Sequence, residues 1–321
     1  MRSTIFAALL LLVPGMADAQ TPPTGVPAPA GGAGQPSPAR FPIPSFRPTL
    51  TATTRSLYAA ESGTSDGRLS VFRGSLDLQW ADRNPLKKRF ITVTGRVESL
   101  RFLPKRARDR SLYEDMASFR LAADTVFLSS RDRGTVVGLA AEFSGSQDAR
   151  FSDGVLPAGY VGQLRLVRPG LNYTYGIFVL GQLEDRPLIV PLVGVEWQPR
   201  PNQVLLLRGT ELRYTWGANP TFGRPGGPPP RRSLSLLVNV EPQRNYRLSR
   251  RNGVSEGVLR DINVRVGAEL TESFHENGTS SLFIGGLVYR RLRFDDREGE
   301  RVTTVRVDPT LTVGGSVNYR F

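Results

Sequence analysis

Few residues in this chain could do chemistry. The 321 residues include a single histidine, His275, in the segment ESFHENGTS with Ser273 and Glu276 beside it. An imidazole next to a hydroxyl and a carboxylate offers the parts of a base-activated nucleophile. In a polar turn between two alternating segments it is more simply a surface side chain, and that reading is preferred. No GxSxG, HExxH, phosphate loop or GxGxxG stands in a supporting context. There is no cysteine, which removes disulfides and thiolate metal sites. The expectation is a non-enzyme with no catalytic, cofactor-binding or metal-binding residues and no cofactor.

The remaining chemistry is charge, set at alternate positions inside apolar segments. In VFRGSLDLQW, Arg73 and Asp77 alternate with Phe72, Leu76, Leu78 and Trp80. ITVTGRVES carries Arg96 and Glu98, ASFRLAADTVF carries Arg120 and Asp124, and VGLAAEF carries Glu142. Further along come Glu196, then Glu211 and Arg213, then Asp261, Arg265 and Glu269 in RDINVRVGAEL. A period of two puts each set on one face of a strand, with an apolar face opposite. A soluble sandwich would hide the apolar faces; a membrane barrel turns them to lipid and the charges into its lumen. In the barrel these residues give five arginines against eight acids, so opposite signs on neighbouring strands can pair.

The elements that position them are strands throughout. The segments fall at about 49–59, 71–80, 91–99, 117–127, 137–143, 159–168, 171–182, 187–198, 203–216, 233–240, 260–270, 280–294 and 300–321. Turn chemistries such as Asp66-Gly67, Asn252-Gly253 and Asn277-Gly278 separate several of them. The segment 280–294 is apolar on both faces and has no assigned orientation. Single-chain bacterial barrels have an even strand number, so one of these thirteen boundaries is wrong. Either 300–321 is a hairpin broken at Asp308-Pro309, giving fourteen, or 203–216 and 233–240 are misdrawn, giving twelve. The expected fold is an all-β antiparallel transmembrane β-barrel of about 12 strands, with 10 or 14 as alternatives. Several segments reach the roughly 9 to 11 residues that cross a bilayer at a tilt. Trp80, Trp197 and Trp216 each end a segment on its apolar parity, the placement of an aromatic girdle.

The chain opens with Arg2, an apolar run from Ile5 to Val13 and Ala17-Asp18-Ala19, the pattern of a secretory signal peptide over 1–19. Residues 20–48 contain nine prolines among Gly, Ala and Ser, a Pro-rich arm with too little apolar surface to order itself. The barrel domain is then 49–321. No later stretch is long and apolar enough for a transmembrane helix.

The formal charge is +13, from 42 Lys+Arg against 29 Asp+Glu. The excess falls in connections and strand ends: Lys87, Lys88 and Arg89; Arg101 to Arg110; Arg131 and Arg133; Arg224, Arg231 and Arg232; Arg244, Arg247, Arg250 and Arg251. Near headgroups these would meet phosphates of outer-membrane lipid and lipopolysaccharide, which suit the arginine fork. Nucleic acid is not an expected partner, since no reader motif or aromatic-basic platform occurs.

The chain ends in LTVGGSVNYRF, with Val317, Tyr319 and Phe321 on one parity. This ending resembles the assembly signal of bacterial outer-membrane β-barrel proteins, whose last strand is read by the barrel assembly machinery. The stretches PLIVPLVGVEWQPRPNQVLLLRGTELRY and VNYRF also resemble an uncharacterised outer-membrane β-barrel domain-of-unknown-function family, which brings no activity or site residues. The resemblance implies export to a Gram-negative outer membrane, with the assembly machinery and periplasmic chaperones as partners. The oligomeric state stays open. The leading functional expectation is a narrow channel or passive transport barrel for small solutes. The alternatives are a non-conducting structural or surface-interaction barrel with a salt-bridge-filled lumen, and an outer-membrane lipid-modifying enzyme or protease centred on His275.

Overall fold

The computed structural model describes residues 48–82, 88–130, 132–146, 148–168, 170–200, 202–217 and 232–321. The expected leader and all but the last residue of the expected arm lie outside these, as do Lys87, Arg131, Arg224 and Arg231.

Apart from two single-turn 3-10 helices, the described elements are strands. They are β1 Thr49–Thr64, β2 Gly67–Asp82, β3 Arg89–Lys105, β4 Met116–Leu128 and β5 Arg133–Ser146. Next come β6 Val155–Arg168, β7 Leu171–Gln182, β8 Asp185–Arg200, β9 Gln203–Arg208 and β10 Glu211–Gly217. The last are β11 Arg232–Arg247, β12 Val258–His275, β13 Gly278–Asp295, β14 Arg301–Val307 and β15 Thr310–Arg320. Each of β1 to β13 pairs antiparallel with the next. β15 then returns to β1 over Thr51↔Arg320 to Ala59↔Thr312, which closes the sheet into a barrel and leaves no free edge.

The strand number corrects the expectation of twelve. Segment 203–216 is a hairpin, β9 and β10, reversed by a two-residue turn at Gly209-Thr210. Gly209 has φ +58, a conformation open to glycine at little cost. The unbroken apolar run before it masks the turn. Segment 300–321 is no hairpin either, because β13 pairs with both its halves, Arg290↔Val307 in β14 and Leu287↔Thr310 in β15. Asp308-Pro309 therefore interrupts one wall strand without reversing it, since proline has no N–H for the ladder. β14 and β15 are two halves of a single strand of the wall, and the barrel has fourteen.

The outer wall is apolar: Leu121 is 51% exposed and Leu139 69%. The opposite faces carry the charges. At the end away from the chain terminus, alternation breaks down. Extra residues occur between Ala59 and Ser62 in β1, between Glu241 and Arg244 in β11, and at Val288 in β13, opposite Val264 and Arg265 of β12. They sit at one level of the wall with the Asp308-Pro309 interruption, and extra residues bend the strands that carry them. This crease turns the ends of β11 to β14 inward, as a lid over the mouth. Arg247 at the tip of β11 pairs in parallel with Gly145 of β5 on the opposite wall.

Over the ends of β11 and β12 both faces of the lid are buried. Its lower face sets Tyr246, Leu259, Leu292 and Phe294 against Leu69, Leu100 and Phe102 of the wall. On its upper face Val258 packs with Leu156 and Leu183. Two-sided burial erases alternation, which is why strand ends such as 67–70 and 241–247 do not stand out in the sequence. The parity of 280–294 was ambiguous for a related reason. Leu282 and Ile284 point outward below the crease, Val288 and Tyr289 are both exposed at it, and Leu292 and Phe294 point inward above it.

Phe294 is fully buried in the lid's apolar seal. Phe294→Ala should lower stability by about 3–5 kcal/mol, read from urea unfolding in detergent, whereas Phe119→Ala on the exposed outer wall should cost much less.

Candidate functional site

Below the lid the lumen is crossed by a lattice of ion pairs. Its centre is Glu241 of β11. Both its carboxylate oxygens accept from Arg73 Nη1 of β2 at 2.5 Å, and Asn263 Nδ2 of β12 donates at 2.9 Å. Arg265 of β12 also donates to Glu241, and Arg244 Nε lies 3.8 Å away. Arg244 reaches back across the lumen to Glu98 of β3, to which Arg73 is also close at 3.5 Å. Arg73 further lies 3.8 Å from Asp261 of β12. Arg290 of β13 grips that fully buried Asp261 with two bonds, 3.1 and 2.7 Å long. β2 and β3 are thereby tied to β11 and β12, which are not their neighbours in the sheet.

The expected lumen residues all lie on the wall face opposite the exposed apolar side chains, and the structure divides them among separate clusters. Arg73, Glu98, Asp261 and Arg265 join the lattice. Arg96 donates two bonds to Asp77 on the adjacent strand. Arg120 stands opposite Glu142 in register. Asp124 accepts from Tyr160 Oη at 2.5 Å. Nearer the chain terminus, Arg213 bonds Glu211 at 2.7 Å and Glu269 at 2.5 Å. Glu196 sits on β8 directly opposite Asn172 and Leu206 and is also engaged.

Sequence reasoning missed Glu241, Arg244 and Arg290. The expected strand 233–240 stopped one residue short of Glu241, and Arg290 lay in the segment that had no orientation. Arg244 and Arg247 were expected in a connection. They are instead the inward end of β11, because the shift between Glu241 and Arg244 carries that strand over the lumen. The one available signal was spacing: Glu241, Arg244 and Arg247 recur every third residue, although Pro242 and Asn245 give the stretch the composition of a connection.

The lid tip is pinned by a second set of bonds. Arg247 donates to Glu184 at 2.5 Å and to the carbonyls of Asp153 and Glu256 at 3.0 and 2.9 Å. Arg260 donates to the fully buried Asp295 at 2.5 Å, to the Leu183 carbonyl at 3.3 Å, and lies 3.6 Å from Asp185. Residues 248–257 dock on residues 106–115 through Asn252 Nδ2 to the Leu112 carbonyl and Ser249 to Glu114. In that loop the Glu256 carboxyl is held below its usual range by the hydrogen bond from Arg250. Burial pushes the Tyr113 hydroxyl well above its usual range.

The remaining expected residues are placed as follows. Trp80 pairs with Leu50, Trp197 with Leu171 and Leu205, and Trp216 with Gln203, so all three mark the end of the barrel that holds the chain terminus. Val317 is exposed on the outer wall, Tyr319 meets Phe321 edge-on at 5.0 Å, and the Phe321 N–H donates to the Leu50 carbonyl. His275 Nδ1 accepts from the Asn277 N–H at 3.2 Å, and its ring stacks on Tyr319. Its geometry is that of a turn acceptor.

No family model and no curated protein matches this chain. Among solved structures it is similar to the P. putida toluene transporter TodX at 8% identity and a TM-score of 0.43, covering 85% of this chain and 89% of that one. An outer membrane channel from Pseudomonas putida F1 gives 6% identity and 0.44, covering 85% and 95%. LpxR from Salmonella typhimurium gives 12% and 0.34, covering 84% and 99%. At these levels the likeness bears on neither activity nor substrate.

Glu241 faces three arginines and an asparagine in a buried lattice. Glu241→Ala should destabilise the barrel by about 3–5 kcal/mol by leaving guanidinium groups uncompensated. Glu61→Ala, which breaks exposed pairs to Arg68 and Lys105, should leave stability nearly unchanged. Urea titration of both variants in the same detergent checks the contrast.

Proposed function

We propose that this chain is an outer-membrane β-barrel of channel form whose lumen is shut at rest. Membrane residence rests on the outward apolar wall, the tryptophans gathered at one end and an even number of strands in the wall. On this reading the end with the chain terminus and most of the short turns faces the periplasm, and the lid closes the outer mouth. The observation that carries the closed state is the bridge of the lumen from Arg73 and Glu98 to Glu241 and Arg244. With the apolar seal above it, this bridge stands across the path a solute would take. Passage of small solutes then requires the lid to lift at its crease, which breaks the bonds of Arg247 and Arg260 to the opposite wall.

A permanently shut structural barrel is the second reading, favoured by the density of the same lattice. Planar-bilayer recording separates the two. Wild type should be silent or nearly so at moderate voltage, and Arg247→Gln with Arg260→Gln should produce discrete openings. Steady wild-type conductance would refute closure, and silence of both proteins would favour the structural barrel. The orientation of the wall has its own check: Leu121→Arg should cost about 2–4 kcal/mol in bilayers, and Ser118→Arg should not follow that lipid-face scale.

A further inference from the structure

Basic residues stand directly opposite one another on adjacent strands at several places in this barrel, an arrangement that is destabilising unless something neutralises it. The chain supplies a carboxylate at nearly every such place. Arg68 and Lys105 are opposed in register, and Glu61 bonds both, at 3.0 and 2.6 Å. Arg260 and Arg293 are opposed, and Asp295 bonds both at 2.5 Å. Arg96, opposite Arg120, is held by Asp77, and Arg133, opposite Arg165, lies 3.6 Å from Asp132.

Arg291 of β13 and Arg306 of β14 break this rule. They are directly opposed just above the crease, on the face continuous with the outer wall, and among the described residues neither has a carboxylate within ion-pair distance. The nearest acid along the chain, Asp308, turns its carboxylate towards Gly63 of β1. Arg291 Nε is buried and has no hydrogen-bond partner. The place is also specific. Going up the outer face of β13, Leu282 (58% exposed) and Ile284 (55%) lead to Tyr289 (43%) and then to Arg291. That is the order apolar, aromatic, cationic, which marks the boundary between hydrocarbon and headgroups.

We infer that Arg291 and Arg306 form an anion site for the phosphate of a phosphorylated lipid headgroup in the outer leaflet. Two guanidinium forks on adjacent strands match the oxygens of a phosphate monoester, whose negative charge removes their mutual repulsion. The lipid is favoured over free phosphate because the site lies where the outer wall meets the crease, immediately above the apolar band. The site also adjoins the crease, so an occupied headgroup would brace the hinge side of the lid. The inference rests on the membrane reading given above.

The test uses the full chain in phosphatidylcholine nanodiscs doped with diphosphoryl lipid A, with retained lipid counted by native mass spectrometry. Arg291→Gln with Arg306→Gln should lower lipid A retention about tenfold, as expected for loss of charge-assisted bonds. Arg68→Gln with Lys105→Gln, at the site Glu61 already neutralises, should leave retention unchanged. Each variant is first checked for heat-modifiable gel mobility, and the single variants Arg291→Gln and Arg306→Gln serve where the double variant fails to fold. Equal retention by wild type and folded variants would overturn the site. Arginine-dependent binding of inorganic phosphate without lipid A retention would overturn the lipid assignment. Failure of the wild-type chain to enter nanodiscs at all would refute the membrane reading itself, and the lipid site with it.

Discussion

The constraint on which this structure depends is the neutralisation of arginine inside a closed wall. Once the apolar faces of the strands turn outward, their charged faces are enclosed, and each guanidinium must find a carboxylate within the barrel. Glu241 meets that demand for Arg73, Arg265 and, more distantly, Arg244. Because its partners sit on β2, β11 and β12, neutralising the charges also ties non-adjacent strands together. The same bonds cross the lumen.

The second determinant is the crease. One bulge bends one strand; irregularities aligned on neighbouring strands bend a sheet. Ala59/Ser62, Asp308-Pro309, the Val288 bulge and the Glu241/Arg244 shift are spread over the chain, and their register brings them to one level of the wall. The lid that results has an apolar lower face and a charged upper tip. Its polar tethers, Arg247 and Arg260, contact opposite-wall turns that carry no comparable apolar packing beyond Leu156 and Leu183.

Much of this was legible in the sequence. Alternation placed most strands, because residues with one face outward and one face inward keep a strict period of two. It also put Arg96 with Asp77 and Glu211 with Arg213 on one face, and these pairs lie on the same or adjacent strands. Boundaries failed where the period fails. Leu69 to Val71 and Val258 to Asp261 are buried whichever way they point, and the shift at Val288 and Tyr289 reverses the parity of β13. The turn at Gly209-Thr210 was hidden by the run VLLLR before it, which reads as one long strand.

The sequence by itself determined that the chain is an all-β protein with one apolar and one charged face per strand, since these follow from the two-residue period of an extended backbone. It also determined the aromatic end, with Trp80, Trp197, Trp216 and Phe321 at corresponding strand positions. Only the tertiary structure decided how many strands close the wall, that Glu241 neutralises arginines from distant strands, and that the mouth is lidded. The reason is that these depend on register between strands far apart in the chain. A local pattern says which way a side chain points, and only closure of the sheet says what it points at.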